Sequence, residues 1–500
     1  MERLDPRACY RALETRDARF DGRIFVGVTS TGIYCRPICP ARTPRFENCR
    51  FYPSAAAAQE AGFRPCLRCR PETAPELGAW RGTSNTVSRA LALIAEGALD
   101  GDGASVDGLA GRLGVGERQL RRLFKRHLGA SPIAVAQTRR VLFAKQLIHE
   151  TGLTMAEIAL AAGFGSIRRF NETFRQLFQR PPSALRRRSL AGAGESGVTV
   201  RLRYRPPYDW PAMLSFLRAR AIEGVERVEG GRYRRTIHQD GLMGTVEVSH
   251  LPERQCLAAT IRVPSVRVLA AVVARIRRVF DLDADVAVIG AHLAQDPLLA
   301  PLIAERPGLR APGGWDGFEL AVRAVLGQQV SVAAARRLAG KLVRLCGSAL
   351  PAGQEGADPA LAFGFPSADQ VAAADLASLG MPGARRAALL AVARAALADP
   401  TLFQPLDTVE ATVTRLRSIP GIGDWTAHYI ALRAVRETDA FPASDVGLLR
   451  GAAGSRGARP TPAELRGLAE PWRPWRAYAA QHLWAADPKA LWTTGDASHG

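Results

Sequence analysis

Cys35-x3-Cys39 and Cys66-x2-Cys69, two short cysteine pairs with 26 residues between them, constrain the start of this chain more tightly than any hydrophobic pattern. Two such pairs joined by a loop can close a tetrahedral cage of four thiolates, the ligand set that suits Zn2+. Such a cage ties together a small domain whose apolar core is too small to do so alone. Four unrelated buried thiols are one alternative, and a zinc ion that only holds the fold is another. The remaining cysteines, Cys9, Cys49, Cys256 and Cys346, are scattered and read as small buried hydrophobes. The N-terminus, Met1-Glu2-Arg3-Leu4-Asp5-Pro6, has no apolar stretch to act as a secretory signal, so a cytoplasmic chain is expected. In that compartment grouped cysteines bind metal or catalyse more often than they form disulfides.

At 500 residues the chain exceeds the ~250–300 that one hydrophobic core supports, so three or four domains are expected. Hydrophobic residues make up 47% and charged residues 23%, which excludes a largely disordered protein. No run approaches the ~18 uninterrupted apolar residues of a membrane span, and no membrane partner is expected. Lys and Arg number 67 against 47 Asp and Glu, and a net +20 calls for a polyanionic partner. The excess is densest over residues 85–190, with 17 basic against 8 acidic groups. Only Lys125, Lys145, Lys341 and Lys489 are lysines. Codon bias can select Arg over Lys, but it does not create an excess over acids. Nucleic acid is the partner this balance favours.

Pro71, Pro75 and Gly78 break regular structure between Pro71 and Gly82, the first boundary. From Val87 to Leu185 apolar residues recur every three or four positions, a helical pattern. It closes on Arg186-Arg187-Arg188 and the linker-like Ala191–Gly197. Strand-like runs at Val198–Tyr204, Tyr233–Ile237, Gly244–Ser249 and Cys256–Val263, with two helical ones, predict a small α+β unit. Beyond Pro297 the pattern is helical again, apart from a Pro/Gly-containing insert at Pro351–Pro366. The expected fold is multidomain and mainly α. A zinc-bound α+β domain occupies 1–80, an all-α DNA-binding domain 84–189, a small α+β domain 198–290 and an all-α domain 291–490.

The residues around the cysteines narrow the choice. Thr31-Gly32-Ile33-Tyr34-Cys35-Arg36-Pro37 and Gly62-Phe63-Arg64-Pro65-Cys66-Leu67-Arg68-Cys69 closely resemble the metal-binding N-terminal domain of the Ada adaptive-response family, over about residues 5–75. The resemblance implies one Zn2+ on Cys35, Cys39, Cys66 and Cys69. It also implies that Cys35 accepts a methyl group from a DNA methylphosphotriester. Zinc holds sulfur as thiolate, the nucleophilic form. Four thiolates around Zn2+ carry formal charge −2, and alkylating one leaves −1, so repulsion toward the DNA backbone falls and damage becomes tighter binding.

Two helix-turn-helix units fit within 85–190. In the first, Val106–Leu113 leads through Gly114-Val115-Gly116 into Glu117–Leu128. Leu120, Leu123, Phe124 and Leu128 share one face there, opposite Arg118, Gln119, Arg121, Arg122, Lys125 and Arg126. The second runs Met155–Phe164 and then Ser166–Phe178, with Phe170, Phe174 and Leu177 inward and Arg168, Arg169 and Arg175 outward. Its Ile158-Ala159-x3-Gly163-Phe164 pattern and Pro181-Pro182 stop look like the second motif of an AraC-type DNA-binding domain. A basic face that is merely solvated is common for one isolated helix, and two such units in tandem favour major-groove docking at promoter DNA. A transcriptional activator of this kind implies RNA polymerase as a further partner.

In the C-terminal half, Ile419-Pro420-Gly421-Ile422-Gly423 lies between two helical patterns. Gly421 and Gly423 permit a tight turn whose amides can face a DNA phosphate. With Asp445 they resemble the helix-hairpin-helix DNA glycosylases. Four further segments look like the AlkA branch, 3-methyladenine DNA glycosylase II, over about 198–490. These are Pro206-Pro207-Tyr208-Asp209-Trp210, Arg306-Pro307-Gly308-Leu309-Arg310, Ala324-Val325-Leu326-Gly327-Gln328-Gln329-Val330-Ser331-Val332 and Pro471-Trp472-Arg473-Pro474-Trp475-Arg476. The resemblance implies Asp445 as the catalytic aspartate and Trp425, Tyr429 and Trp484 as aromatic residues around the base. Trp and Tyr at helical spacing are also ordinary core residues. Alkylation makes a purine cationic, which favours aromatic faces and weakens the glycosidic bond. A carboxylate can then stabilise the sugar cation once the base has left the duplex. Trp425 stands where strand-cleaving members carry a lysine, implying hydrolysis without strand cleavage. Gln329 occupies the position of the duplex-inserting wedge, where an apolar residue is the family's pattern.

Together these resemblances imply an alkylation sensor and regulator joined to a glycosylase, acting on double-stranded DNA. No Pro-Cys-His-Arg acceptor motif for O6-methylguanine occurs. The competing reading is a transcription factor that senses alkylation and whose glycosylase half only binds lesions.

Overall fold

The computed structural model describes residues 5–74, 85–101, 103–186, 197–351, 358–406, 408–453 and 458–487. Arg187, Arg188 and most of the Ala191–Gly197 linker lie outside the described residues, as do parts of the Pro71–Gly82 boundary and of the Pro351–Pro366 insert. The chain is multidomain and mainly α, and it divides into two compact units: residues 1–203 with 258–274, and residues 204–257 with 275–500.

The first unit opens on a four-stranded sheet in the order Cys49–Tyr52, Phe25–Val28, Ile33–Cys35, Arg64–Pro65. Phe25–Val28 pairs antiparallel with both neighbours, Val26 facing Cys35 and Phe51. The last strand is parallel to Ile33–Cys35, with Tyr34 beside Pro65, and the Cys66 amide donates to the Tyr34 carbonyl at 3.0 Å. This parallel pairing delivers Cys35 and Cys66 to the same end of the sheet. Gly27 is forced by packing, because a Cβ there would stand 2.9 Å from the rings of Phe63 and Tyr52.

The basic block folds as the periodicity predicts, into Val106–Arg112, Glu117–Leu128, Pro132–Glu150, Met155–Ala161 and Ile167–Phe178. Ser105, Ser131, Thr154 and Ser166 each accept an amide hydrogen bond at a helix start, and Thr154 with Glu157 completes a capping box. Leu120, Phe124 and Leu128 are buried as expected. In the second unit Leu177 is only half-buried and Phe178 is the inward residue. Phe170, Phe174 and Phe178, spaced by four, pack ring against tilted ring at 4.8 and 5.3 Å between centroids.

The Pro132–Glu150 helix carries a buried cation. Lys145 is fully buried; its ammonium donates to the Cys66 carbonyl at 2.9 Å and to Glu72 at 2.7 Å. Burial raises the Glu72 pKa, but the charge of Lys145, its hydrogen bond and Arg70 outweigh this and leave it below the ordinary glutamate value. A depressed carboxylate pKa adds stability above the unfolded value of ~4.3 and loses it as pH falls through the lower folded one. Lys145→Met strands a buried carboxylate with Arg70 alone. It is expected to cost about 3–5 kcal/mol in urea unfolding at pH 7, and less at low pH. An equal loss at both pH values would contradict this account.

In the second unit a meander of Glu226–Glu229, Arg232–Gln239 and Leu242–Leu251 packs with the helix Trp210–Arg220. The predicted strands at 198–204, 233–237, 244–249 and 256–263 are all present, with ends shifted by up to about two residues. Glu226–Glu229 was not predicted, since Glu-Arg-Val-Glu shows no apolar alternation. Backbone pairing with Arg232–Gln239, Val228 opposite Tyr233, makes it a strand. The helical body includes Gly317–Leu326, Val332–Cys346, Gly383–Ala398, Val409–Arg417, Asp424–Ile430, Val446–Gly451 and Arg476–Ala486.

Candidate functional site

The sulfurs of Cys35, Cys39, Cys66 and Cys69 all lie within 4.8 Å of one another, and no described cysteine forms a disulfide. Four soft donors converging at this separation fit Zn2+. Their surroundings differ. The Arg68 amide donates to Cys66 Sγ and the Arg36 amide to Cys69 Sγ, both at 3.3 Å, while the Ala41 amide serves Cys39. No amide reaches Cys35 Sγ among the described residues, and Cys35 is half-buried where its three partners are buried. An N–H···S bond draws charge from a thiolate, so without one the Cys35 sulfur would keep more of its charge than the other three. The buried Arg36 guanidinium braces the cage, donating to Asp21, to the Cys69 carbonyl at 3.0 Å and to the Thr73 hydroxyl at 2.7 Å.

Arg118, Arg121 and Arg122 are exposed on Glu117–Leu128, and Arg168 and Arg169 on Ile167–Phe178. Arg121 pairs with Glu117, and Arg168 with Glu172 at 2.8 Å. Such exposed (i, i+4) pairs are screened by solvent and contribute little, so both guanidinium groups can exchange partners at small cost.

In the second unit a cavity of about 620 Å3 is lined by Trp425, Tyr429, Arg433, Asp445, Gly447 and Trp484, among others. Gly421 lies in the turn between Val409–Arg417 and Asp424–Ile430, at φ +85°. A Cβ there would press within 2.4 Å of Ala388 Cβ, so both conformation and packing demand glycine. Gly423 has open space around it and precedes the Asp424 helix. That helix sets Trp425 and Tyr429 four residues apart, stacked at 5.3 Å and 15°; Trp484 meets Tyr429 edge-on at 6.3 Å.

Asp445 caps the helix Val446–Gly451, its Oδ1 accepting from the Gly447 and Leu448 amides at 2.8 and 3.1 Å. The Trp484 indole also donates to Oδ1, at 2.8 Å, and the Trp425 indole donates to Oδ2 at 2.6 Å. The aspartate and the two tryptophans singled out from sequence are thus one hydrogen-bonded cluster, with the Tyr429 ring packed against both indoles. Gln329 is exposed and held at φ +56° on the loop before Val332–Cys346.

Sequence reasoning missed two residues. Gln328 donates to the Gly421 carbonyl at 3.0 Å and to the Thr426 hydroxyl at 3.1 Å, pinning the loop of Gln329 to the hairpin. A glutamine in a loop carries no local pattern that marks such a contact. Arg433 is buried, donating to the Pro312 carbonyl and Gln481 at 2.8 and 2.9 Å, with its guanidinium 5.0 Å from the Trp484 ring centroid. Burial, the largest influence, pulls its pKa down to about 10. A cationic base would therefore share Trp484 with a fixed cation. No local pattern marks an arginine as buried.

Comparison with known proteins gives three family matches. Residues 8–72 match the family described as the metal binding domain of Ada, 109–188 a helix-turn-helix domain and 199–316 the AlkA N-terminal domain. The chain combines a zinc centre, a helix-turn-helix block and a glycosylase-like domain, and such a class is regulatory and enzymatic at once. It is 43% identical over 488 residues to the "probable bifunctional transcriptional activator/DNA repair enzyme AlkA" of Mycobacterium tuberculosis, covering 95% of both chains. The chain belongs to this bifunctional family. It is also 38% identical to DNA-3-methyladenine glycosylase 2 of Escherichia coli, over 57% of this chain and 95% of that protein. It is 33% identical to the bifunctional activator/repair enzyme Ada of the same organism, over 31% of this chain and 42% of that one. Consistent with the Ada-type domain and the four-sulfur site, the centre takes one zinc ion.

Proposed function

We propose that the chain is a monofunctional DNA glycosylase for alkylated bases such as 3-methyladenine, joined to a methyl-accepting transcriptional regulator of the alkylation response. The observation that carries the first half is the Asp445 carboxylate held by two indoles at the wall of an aromatic cavity. The domain limits are 1–80, 84–189, 198–290 and 291–490, with the protein acting in the cytoplasm. No described helix is long and apolar enough to cross a membrane.

A flipped alkylated base stacks on Trp425, Tyr429 and Trp484 while Gln329 fills the gap in the duplex. Gly421 and Gly423 present backbone amides to a phosphate. As the C1′–N bond breaks, the base leaves with the electron pair, and Asp445 stabilises the cationic sugar and takes a proton from the water that adds to C1′. Trp425 has no amine, so the strand stays intact. Incubation with N-methylated duplex should release free base and leave abasic strands that break only on alkali or heat. Lesion binding without base release would instead make the C-terminal half a recognition module.

At the N-terminus, Cys35 Sγ forms a bond to the methyl carbon of a methylphosphotriester while the C–O bond breaks and the phosphate diester departs as an anion. Bound zinc supplies thiolate character to the sulfurs at neutral pH. The thioether removes one negative charge from the cluster, and promoter DNA is then bound more tightly through Arg118, Arg121, Arg122, Arg168 and Arg169, with recruitment of RNA polymerase following. Affinities of methylated and unmethylated protein should differ, and the gap should narrow at high salt. Equal affinities would reduce Cys35 to a scavenger.

A further inference from the structure

We propose that Trp425 and Trp484 act as positioning residues, holding the Asp445 carboxylate through their indole N–H groups and leaving Oδ2 as the oxygen that meets the sugar. This rests on Asp445 being the catalytic carboxylate. An indole has one polar atom. Packing of two rings around a base gives no reason for both nitrogens to point at one side chain, yet both do. One ring comes from the hairpin helix and the other from Arg476–Ala486.

The four bonds are unevenly divided. Among the described residues Oδ1 accepts from Trp484 and from the Gly447 and Leu448 amides, whereas Oδ2 accepts only from Trp425, at 2.6 Å. A carboxylate offers about four acceptor sites over two oxygens, so Oδ1 is saturated and Oδ2 keeps one free. The free site is where a sugar cation or a water can be met. In the capping aspartates Asp209 and Asp285 the second oxygen accepts from an arginine; in Asp445 an indole takes that place, and Trp425 fixes the direction of Oδ2.

Gly447 supports the same arrangement independently. A Cβ on it would lie 3.1 Å from Asp445 Oδ1 and 3.1 Å from Trp484 Cδ1, beside the Trp484–Asp445 bond. Its φ lies outside the left-handed region, so the backbone does not require glycine there. The room it leaves lets the indole reach the carboxylate.

The test removes each indole N–H while keeping an aromatic ring, and separately crowds the Trp484–Asp445 bond. Trp425→Phe, Trp484→Phe and Gly447→Ala are made in the full chain. Single-turnover release is measured on a duplex carrying one N7-methylguanine, and binding on a duplex carrying a tetrahydrofuran abasic site. Hydrogen bonds to charged groups are worth enough that Trp425→Phe should slow release about 10- to 100-fold with binding changed less than about twofold. Trp484→Phe and Gly447→Ala should slow it less, since two amides still hold Oδ1. In an Asp445→Asn background, Trp425→Phe should have no further effect. Should a Phe variant fail to fold, 3-benzothienylalanine at the same position keeps the bicyclic shape and lacks the N–H. Wild-type release by Trp425→Phe, a loss confined to binding, or full additivity with Asp445→Asn would overturn the proposal. Near-normal release by Asp445→Asn itself would sink the catalytic reading and the proposal with it. An inactive Asp445→Asn beside a normal Trp425→Phe removes the indole role alone.

Discussion

Asp445→Asn should lower base release by several orders of magnitude while affinity for alkylated DNA survives. Losing a single preorganised electrostatic group costs about 10^2–10^3 in kcat, and here the group lost carries a full charge. The substitution is nearly isosteric, but its hydrogen bonding is not. If the amide oxygen keeps the Oδ1 contacts to Trp484, Gly447 and Leu448, the amide nitrogen must face the Trp425 indole, donor against donor. The Trp425 ring should then turn away locally. On the proposed reading DNA is held by the hairpin at Gly421 and Gly423, which Gln328 pins from the other side, so binding should persist. A gel decides the matter. Near-normal release by the variant places the catalytic carboxylate elsewhere, and strand breaks from the unmodified protein before alkali demand an amine that Trp425 does not supply.

Cys66→Ser should abolish stoichiometric zinc and, with it, methyl transfer to Cys35. Structural zinc binding in small domains is worth about 10–16 kcal/mol at neutral pH, and much of that is folding free energy. Cys66 is the most connected of the four cysteines. Its amide donates to the Tyr34 carbonyl, its sulfur accepts from the Arg68 amide and its carbonyl accepts from Lys145. Disorder at Cys66 therefore reaches the sheet and the Pro132–Glu150 helix together. Metal analysis and mass spectrometry of Cys35 after exposure to methylphosphotriester DNA give the readout. Undiminished zinc in this variant would refute the four-thiolate site. Retained base release should accompany the loss, because Asp445 and its partners belong to the second compact unit.

Much of this was legible along the chain because the signals are local. Cysteine spacing, caps such as Thr154 with Glu157, and the four-residue repeat of Phe170 and Phe174 are properties of short windows, which backbone geometry turns directly into structure. Phe178 rather than Leu177 turns inward, and helical periodicity alone does not say which of two adjacent apolar residues meets the core. The strand Glu226–Glu229 escaped because pairing, not its own composition, creates it.

The sequence by itself determined the four-cysteine cluster, the two helix-turn-helix units and the hairpin turn, since each depends on residue type and spacing within one segment, whereas Asp445 was singled out only by family resemblance. Tertiary structure alone decided how those groups are tuned. Which sulfur lacks an amide donor depends on strands that meet from distant positions. The partition of four hydrogen bonds over Asp445 needs Trp425 and Trp484 to arrive from separate helices, and Arg433 becomes buried against Trp484 only when Pro312 and Gln481 converge on it. Those contacts join residues tens to more than a hundred positions apart, and no local pattern encodes them.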